Sequence, residues 1–338
     1  MCIHVSCTNP DHFHTIQAGI DYAGTLPPHQ RIIAVHRGIY HERVKIQIPH
    51  IRIIGEDPRN TIITNSCSAL ELDSAGNKLG TFRTQTVMIE ADDIRINQLT
   101  IENSAGPGWL KAQAIALYAD GDRIALENCR LIACQDTLFT GPRLRKLETD
   151  GLPQIPQRHF YRNCFIQGDV DFIFGCAAAY FEKCEFYSTY TPRPKDQPDR
   201  SQTKEDQNDA ILGYVTAAAT PKGQEFGFVM DRCSFTGNCP PKSVFLGRPW
   251  RDHAKTVLLN CNLGEHIHPA GWHDWNKIQA HNSTFYAEFS STGPGAANKF
   301  RAPWTHTLTE KEADQFQKKR VLMGWNPDHP LFSHIPEG

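Results

Sequence analysis

No stretch of roughly 18 consecutive apolar residues occurs in this chain, so no membrane-crossing helix is read from it. No Cys-x-x-Cys pair occurs either, which removes the usual sequence support for a structural zinc site. An excess of one charge is also missing: 35 Lys and Arg stand against 37 Asp and Glu, a formal net charge of −2. Without a basic stripe or helix, that balance leaves no electrostatic footprint for nucleic acid. Low-complexity tracts are absent and long helical periodicity is scarce. It appears only at about residues 15–22, read as a helical cap, and at about 310–322, read as a charged C-terminal helix. The N-terminus shows no basic leader followed by an apolar segment, so a cytoplasmic location is expected. A secreted protein whose leader had been removed would begin in the same way.

What the chain does have is an internal repeat. A short unit, polar-Cys-polar-apolar, recurs at Glu127-Asn128-Cys129-Arg130-Leu131, Arg162-Asn163-Cys164-Phe165-Ile166, Glu182-Lys183-Cys184-Glu185-Phe186, Asp231-Arg232-Cys233-Ser234-Phe235 and Leu259-Asn260-Cys261-Asn262-Leu263. Each copy ends in the alternation of a short strand, and the irregular spacing reads as solenoid coils with variable loops. Earlier β-branched runs such as Arg31–Val35, Ile51–Gly55 and Val87–Glu90 share this texture. Many short strands with few helices predict an all-β fold, a single-stranded right-handed parallel β-helix with short helical caps. A chain of 338 residues would ordinarily divide, but a solenoid grows along one axis, so one domain over 1–338 is expected. Its core is placed at about 13–293. Five of the eleven cysteines fall at the repeat position and read as stacked buried thiols, with a ladder of disulfides as the alternative.

The repeat also places chemistry. Gly168-Asp169-Val170-Asp171-Phe172-Ile173-Phe174-Gly175 puts carboxylates inside an aromatic, β-branched run, where an ionised Asp is costly unless it is paired. Asp136 lies seven residues beyond Cys129, and Asp171 seven beyond Cys164. Equal offsets set both on one face in successive coils, about 5 Å apart. At that distance two charges repel by roughly 3 kcal/mol at an effective dielectric near 20. One carboxyl should therefore keep its proton while the other ionises, giving an acid beside a nucleophile or base.

In order along the chain stand Phe13-His14-Thr15-Ile16-Gln17-Ala18, Gly38-Ile39-Tyr40-His41-Glu42, Asn103-Ser104-Ala105-Gly106-Pro107, Gln113-Ala114-Ile115-Ala116-Leu117, Gln135-Asp136-Thr137-Leu138, Asp171-Phe172-Ile173-Phe174-Gly175 and Leu246-Gly247-Arg248-Pro249-Trp250. With these segments the chain resembles the pectinesterases, aspartyl carboxylesterases on the pectin lyase-like solenoid. The resemblance implies a substrate of pectin or methyl-esterified oligogalacturonide and a reaction without metal or cofactor. It implies that Asp171 attacks the ester carbonyl and that Asp136 protonates departing methanol, then activates water. Gln113 and Gln135 are expected to donate to the oxyanion, and Arg248 to hold Asp171 with its planar fork. Trp250 and, from its Gly271-Trp272 context, Trp272 are expected to present flat faces to sugar rings. A monomer with no nucleic-acid or membrane partner completes the expectation.

Plainer readings stand beside these. Gln113 and Gln135 would serve equally as backbone partners at a coil corner, Arg248 as a structural partner for a buried Asp, and Trp250 as core. His266, His268 and His273 invite a metal reading, against a loop packed on Trp272 and Trp275. Asp169 shares the Asp171 face in a regular strand, but three stacked acids repel, so an outward turn or a salt bridge is expected. Two segments, Gly141 to Arg158 and Thr189 to Asp209, exceed a minimal coil. Arg143, Arg145, Lys146 and Arg158 of the first are expected near the cleft, attracting anionic sugars. A β-helix glycosidase or lyase, or a non-catalytic carbohydrate-binding solenoid, are the alternative functions. A glycosidase also uses two carboxyls at about 5–5.5 Å but needs no oxyanion donors.

Overall fold

The computed structural model of the protein describes residues 2–143, 155–194, 211–296 and 298–328. Arg145 and Lys146, with much of the two long segments, lie outside the described residues. Among the described residues, short strands form three parallel sheets of eleven, seven and eight strands, in which sheet neighbours come from successive coils. One coil runs through Ile124–Glu127, Arg130–Ile132 and Leu138–Thr140. The next runs through Arg158–Arg162, Phe165–Gly168 and Val170–Gly175, each strand pairing in parallel with its counterpart. This is the parallel β-helix expected from the repeat.

The Cys repeat is the corner between two of the sheets. The residue before each cysteine (Asn128, Asn163, Lys183, Arg232, Asn260) has φ between 51° and 54°. Asn tolerates this left-handed conformation, whereas Lys and Arg have no such advantage, so packing imposes it there. The cysteine that follows turns inward, and all five are buried and free. Each Sγ donates to a carbonyl of the preceding coil: Cys129 to Ile96 at 3.5 Å, Cys164 to Leu126 at 3.5 Å, Cys184 to Tyr161 at 3.4 Å, Cys233 to Phe181 at 3.4 Å and Cys261 to Met230 at 3.2 Å. The thiol stack, not the disulfide ladder, is the arrangement found.

Inward residues line up from coil to coil. Leu131, Ile166, Phe186, Phe235 and Leu263 occupy one register through five strands, all buried. Each contributes roughly 1.5–3 kcal/mol by leaving water. Helix Ile16–Gly24 covers the N-terminal end with Ile16, Gly19, Ile20 and Ala23, as its periodicity predicted. Glu42 accepts from the N–H groups of Ile16 (2.8 Å) and Gln17 (3.1 Å), satisfying donors that a helix start leaves open.

The C-terminal helix is not continuous. It is split into Glu310–Ala313, Asp314–Phe316 and Lys318–Val321, with extended backbone at Gln317 (ψ 146°). Ala313, Val321 and Leu322 join Phe160, Tyr180 and Val229 in an apolar cluster on the eleven-stranded sheet. No helix among the described residues is long and apolar enough to cross a membrane.

Candidate active site

Leu138 pairs with Ile173 across adjacent coils, so Asp136 and Asp171, each two residues earlier, stand at one level. The Asp136 N–H donates to the Val170 carbonyl at 3.0 Å, fixing that alignment. On the other side of Asp171, the pairing of Val170–Gly175 with Gly213–Ala218 shifts register between Val170 and Ile173. Such a bulge re-aims a side chain. Both aspartates have left-handed backbone, φ 64° at Asp136 and 50° at Asp171, a strain that packing on both sides must hold.

Arg248 arrives from strand Val244–Pro249, two coils beyond Asp171. Its Nε donates to Oδ1 of Asp171 and its Nη2 to Oδ2, both at 2.8 Å. The guanidinium is packed against the rings of Tyr214 (3.8 Å) and Trp275 (3.9 Å) and is 1% exposed. A planar cation held by two aromatic faces and a bidentate carboxylate is fixed in orientation.

The two acids differ in their surroundings. Asp136 is 8% exposed and Asp171 6%. Burial, and then the charge of Asp171, push the Asp136 carboxyl well above the usual carboxylate range, and the more weakly acting Arg248 charge does not undo this. Its protonated form is therefore favoured, beside a carboxylate gripped at both oxygens. Two carboxyls whose surroundings differ in this way can divide acid and base work between them.

Asp169 neither points away nor forms the expected ion pair. Its Oδ2 accepts from the Gly108 N–H at 2.9 Å and its Oδ1 from its neighbour Val170 at 2.6 Å. Burial raises its carboxyl to about 6, and its charge adds to the push on Asp136. Backbone donors, not a cation, make a third acid tolerable here.

Gln113 and Gln135 are buried in successive coils, joined where the Ala114 N–H donates to the Gln135 carbonyl at 3.0 Å. Neither side-chain Oε1 has a hydrogen-bond partner among the described residues. A carboxamide rotated about its last bond presents NH₂ at the same place.

Aromatic rings flank the acids. Tyr118, Phe139 and Phe174 are buried in sequence, with ring centroids 4.8 and 5.1 Å apart, and Trp250 packs on Phe174 at 5.7 Å. Trp250 is only half-buried and keeps part of its surface open. Trp272 does not: it is 2% exposed, stacked flat on Tyr286 at 4.4 Å within the core. The bridge between Gly247 and Trp272 makes Trp272 part of the sheet and turns its side chain inward. Three residues on, Trp275 has φ 55° and reaches Arg248 instead. Sequence reasoning missed Trp275 and Tyr214 as partners of the arginine, since no repeat links them to it.

Two other expectations change. Arg158 is pinned to Asp122, with Nε 3.0 Å from Oδ1 and Nη2 2.6 Å from Oδ2, and so is no part of a cleft loop. Arg143 lies over the Phe82 ring at 4.5 Å, and Phe82 meets Phe139 edge-on at 5.1 Å. The rings of His268 and His273 pack on Phe245 at 4.4 and 5.2 Å, and each Nδ1 accepts a local backbone N–H, from Ala270 and Trp275. His266 is buried, which lowers it to about 4.

The raised Asp136 carboxyl carries a stability consequence. In the unfolded chain it ionises near 3.9, whereas the folded chain keeps the proton to higher pH. Between those values the unfolded state binds fewer protons, so stability falls as pH rises. Asp136→Asn is expected to raise Tm by about 3 °C at pH 7. The gain should shrink towards zero near pH 3. Thermal melts across that range check it, and a pH-independent difference would remove the assignment.

A family model described as pectinesterase matches residues 3–325, and the chain belongs to that family. It is 33% identical over 317 residues to probable pectinesterase/pectinesterase inhibitor 64 of Arabidopsis thaliana, covering 90% of this chain and 48% of that one. The chain thus spans about half the length of this curated relative. Among solved structures it is similar to pectin methylesterase PemA from Erwinia chrysanthemi, with 28% identity and a TM-score of 0.78. That match covers 97% of this chain and 98% of the other. A pectin methylesterase in complex with a hexasaccharide matches with the same TM-score, 0.78, at 28% identity and the same coverage of 97% and 98%.

Proposed function

We propose that the chain removes methyl esters from methyl-esterified galacturonate units of pectin or its oligomers. The observation that carries this is the acid pair at one level of adjacent coils, Asp171 oriented by the fork of Arg248 and Asp136 beside it with its carboxyl pushed upward by burial. A carboxylate oxygen of Asp171 adds to the ester carbonyl, and the resulting oxyanion is met by the amides of Gln113 and Gln135. Collapse expels the methoxy oxygen, which takes the Asp136 proton and leaves as methanol. The ionised Asp136 then draws a proton from water as it attacks the acyl-Asp171 anhydride. The product acid and free Asp171 carboxylate result, Asp136 is protonated again, and the product loses its remaining acidic proton to solvent. The bound hexasaccharide of the similar pectin methylesterase supports a sugar chain as the ligand.

A glycosidase reading meets the same carboxyl spacing but gives no work to two buried glutamines whose Oε1 atoms have no partner among the described residues. The two chemistries leave different products. Incubated with methyl-esterified oligogalacturonide, the protein is expected to release methanol without changing chain length. New reducing or unsaturated ends in the absence of methanol would overturn the proposal.

A further inference from the structure

At the N-terminal end of the eleven-stranded sheet three imidazoles converge. His4 is the half-buried middle residue of strand Ile3–Val5, between two inward apolar neighbours. The bridge between Val5 and Phe13 sets His12 beside it, and His36 follows strand Ile32–Val35, whose Val35 pairs with Val5. Backbone bonds fix both flanks: the Phe13 N–H donates to the His4 carbonyl at 3.0 Å, and the His36 N–H to the Val5 carbonyl at 2.9 Å.

One ring nitrogen from each histidine lies within 4.8 Å of the other two. One pair, Nδ1 of His4 and Nε2 of His36, is 3.1 Å apart. Two nitrogens bound tetrahedrally to one zinc ion at 2.0–2.1 Å are about 3.3 Å from each other. Glu56 sits behind His36, its Oε2 3.3 Å from Nδ1. A carboxylate there holds the proton on Nδ1 and leaves Nε2 with its lone pair facing His4. Nδ1 of His12 is buried and has no hydrogen-bond partner, while its Nε2 has only a 3.4 Å contact with Asn9.

From this geometry we infer a divalent-cation site formed by His4, His12 and His36, with a borderline first-row ion such as Zn²⁺ as its ligand. Three neutral imidazoles with no carboxylate oxygen among the donors suit zinc, copper or nickel and not calcium or magnesium. The ion bridges the first two strands of the sheet and the turn before helix Ile16–Gly24. The acid pair belongs to the seven-stranded sheet, so the bound ion acts on stability and not on ester chemistry. The inference is independent of the proposed function.

The test is calorimetric titration of the tag-free full chain with ZnCl₂. Saturable binding of a single Zn²⁺ is expected, with Tm raised by about 3 °C at a hundredfold excess over Kd and returned by chelator. His4→Gln and His36→Gln should each weaken binding at least tenfold, Glu56→Gln by about tenfold, and His268→Gln not at all. If the histidine variants fail to fold, the visible absorption of wild-type protein loaded with Co²⁺ reports four-coordinate nitrogen ligation directly. No saturable binding, unchanged affinity in His4→Gln and His36→Gln, or a Co²⁺ spectrum of a hexa-aqua ion would overturn it.

Discussion

Asp171→Asn is expected to lower kcat for methanol release by on the order of 10⁴-fold or more, since an amide cannot form the acyl intermediate. KM should change little, but the variant should melt below the parent, because Arg248, 1% exposed, loses its bidentate carboxylate contact. Asn keeps the shape and the left-handed backbone tolerance that φ 50° at this position requires. Asp136→Asn should be nearly as severe, because both proton transfers pass through that carboxyl. The two losses should not add in the double variant, as the residues act as one unit. Single-turnover assays separate them: residual acylation without deacylation is possible only where Asp171 survives. An Asp171→Asn protein with most of its activity would end the mechanism.

Arg248 is the second large effect. Arg248→Gln removes the only described ion-pair partner of Asp171, a carboxylate 6% exposed. Leaving a buried charge unpaired costs about 3–5 kcal/mol, so the variant should melt well below the parent at neutral pH. Arg248→Lys tests geometry instead of charge. It keeps a cation but loses the fork, and it loses planar packing on Tyr214 and Trp275. A drop of roughly 10²-fold in kcat is expected with stability largely retained. If Arg248→Lys matched the parent in kcat, orientation by the bidentate contact would play no part in the chemistry.

The repeat made the coil register legible, and register is what places the acids. Cys129 and Cys164 mark equivalent corners, so equal offsets carried Asp136 and Asp171 to one level without any tertiary knowledge. The bulge at Asp171 was not legible, because a register shift depends on the following strand and leaves no periodic trace. Trp272 was misplaced for a related reason. Its single bridge to Gly247 is too short to show alternation, so nothing in the sequence says which of Trp272 and Trp275 faces inward. Arg158 sits at the start of a strand and answers to Asp122 of an earlier coil, a long-range pairing that a loop-based reading overlooks. The three N-terminal histidines are spaced irregularly along the sequence, and only the sheet brings them together.

A stack of coils also has a mechanical character. Tension applied between the two ends of such a solenoid is carried through successive sheet pairings, so the chain yields coil by coil instead of all at once. The corner cysteines 129, 164, 184, 233 and 261 mark off 35, 20, 49 and 28 residues. At about 3.5 Å of extended chain per residue those intervals span at most roughly 120, 70, 170 and 100 Å. The longest of them contains Gly213–Ala218, the strand lying between the one that carries Asp171 and the one that carries Arg248. Opening of that coil is therefore the event that pulls the arginine away from its aspartate.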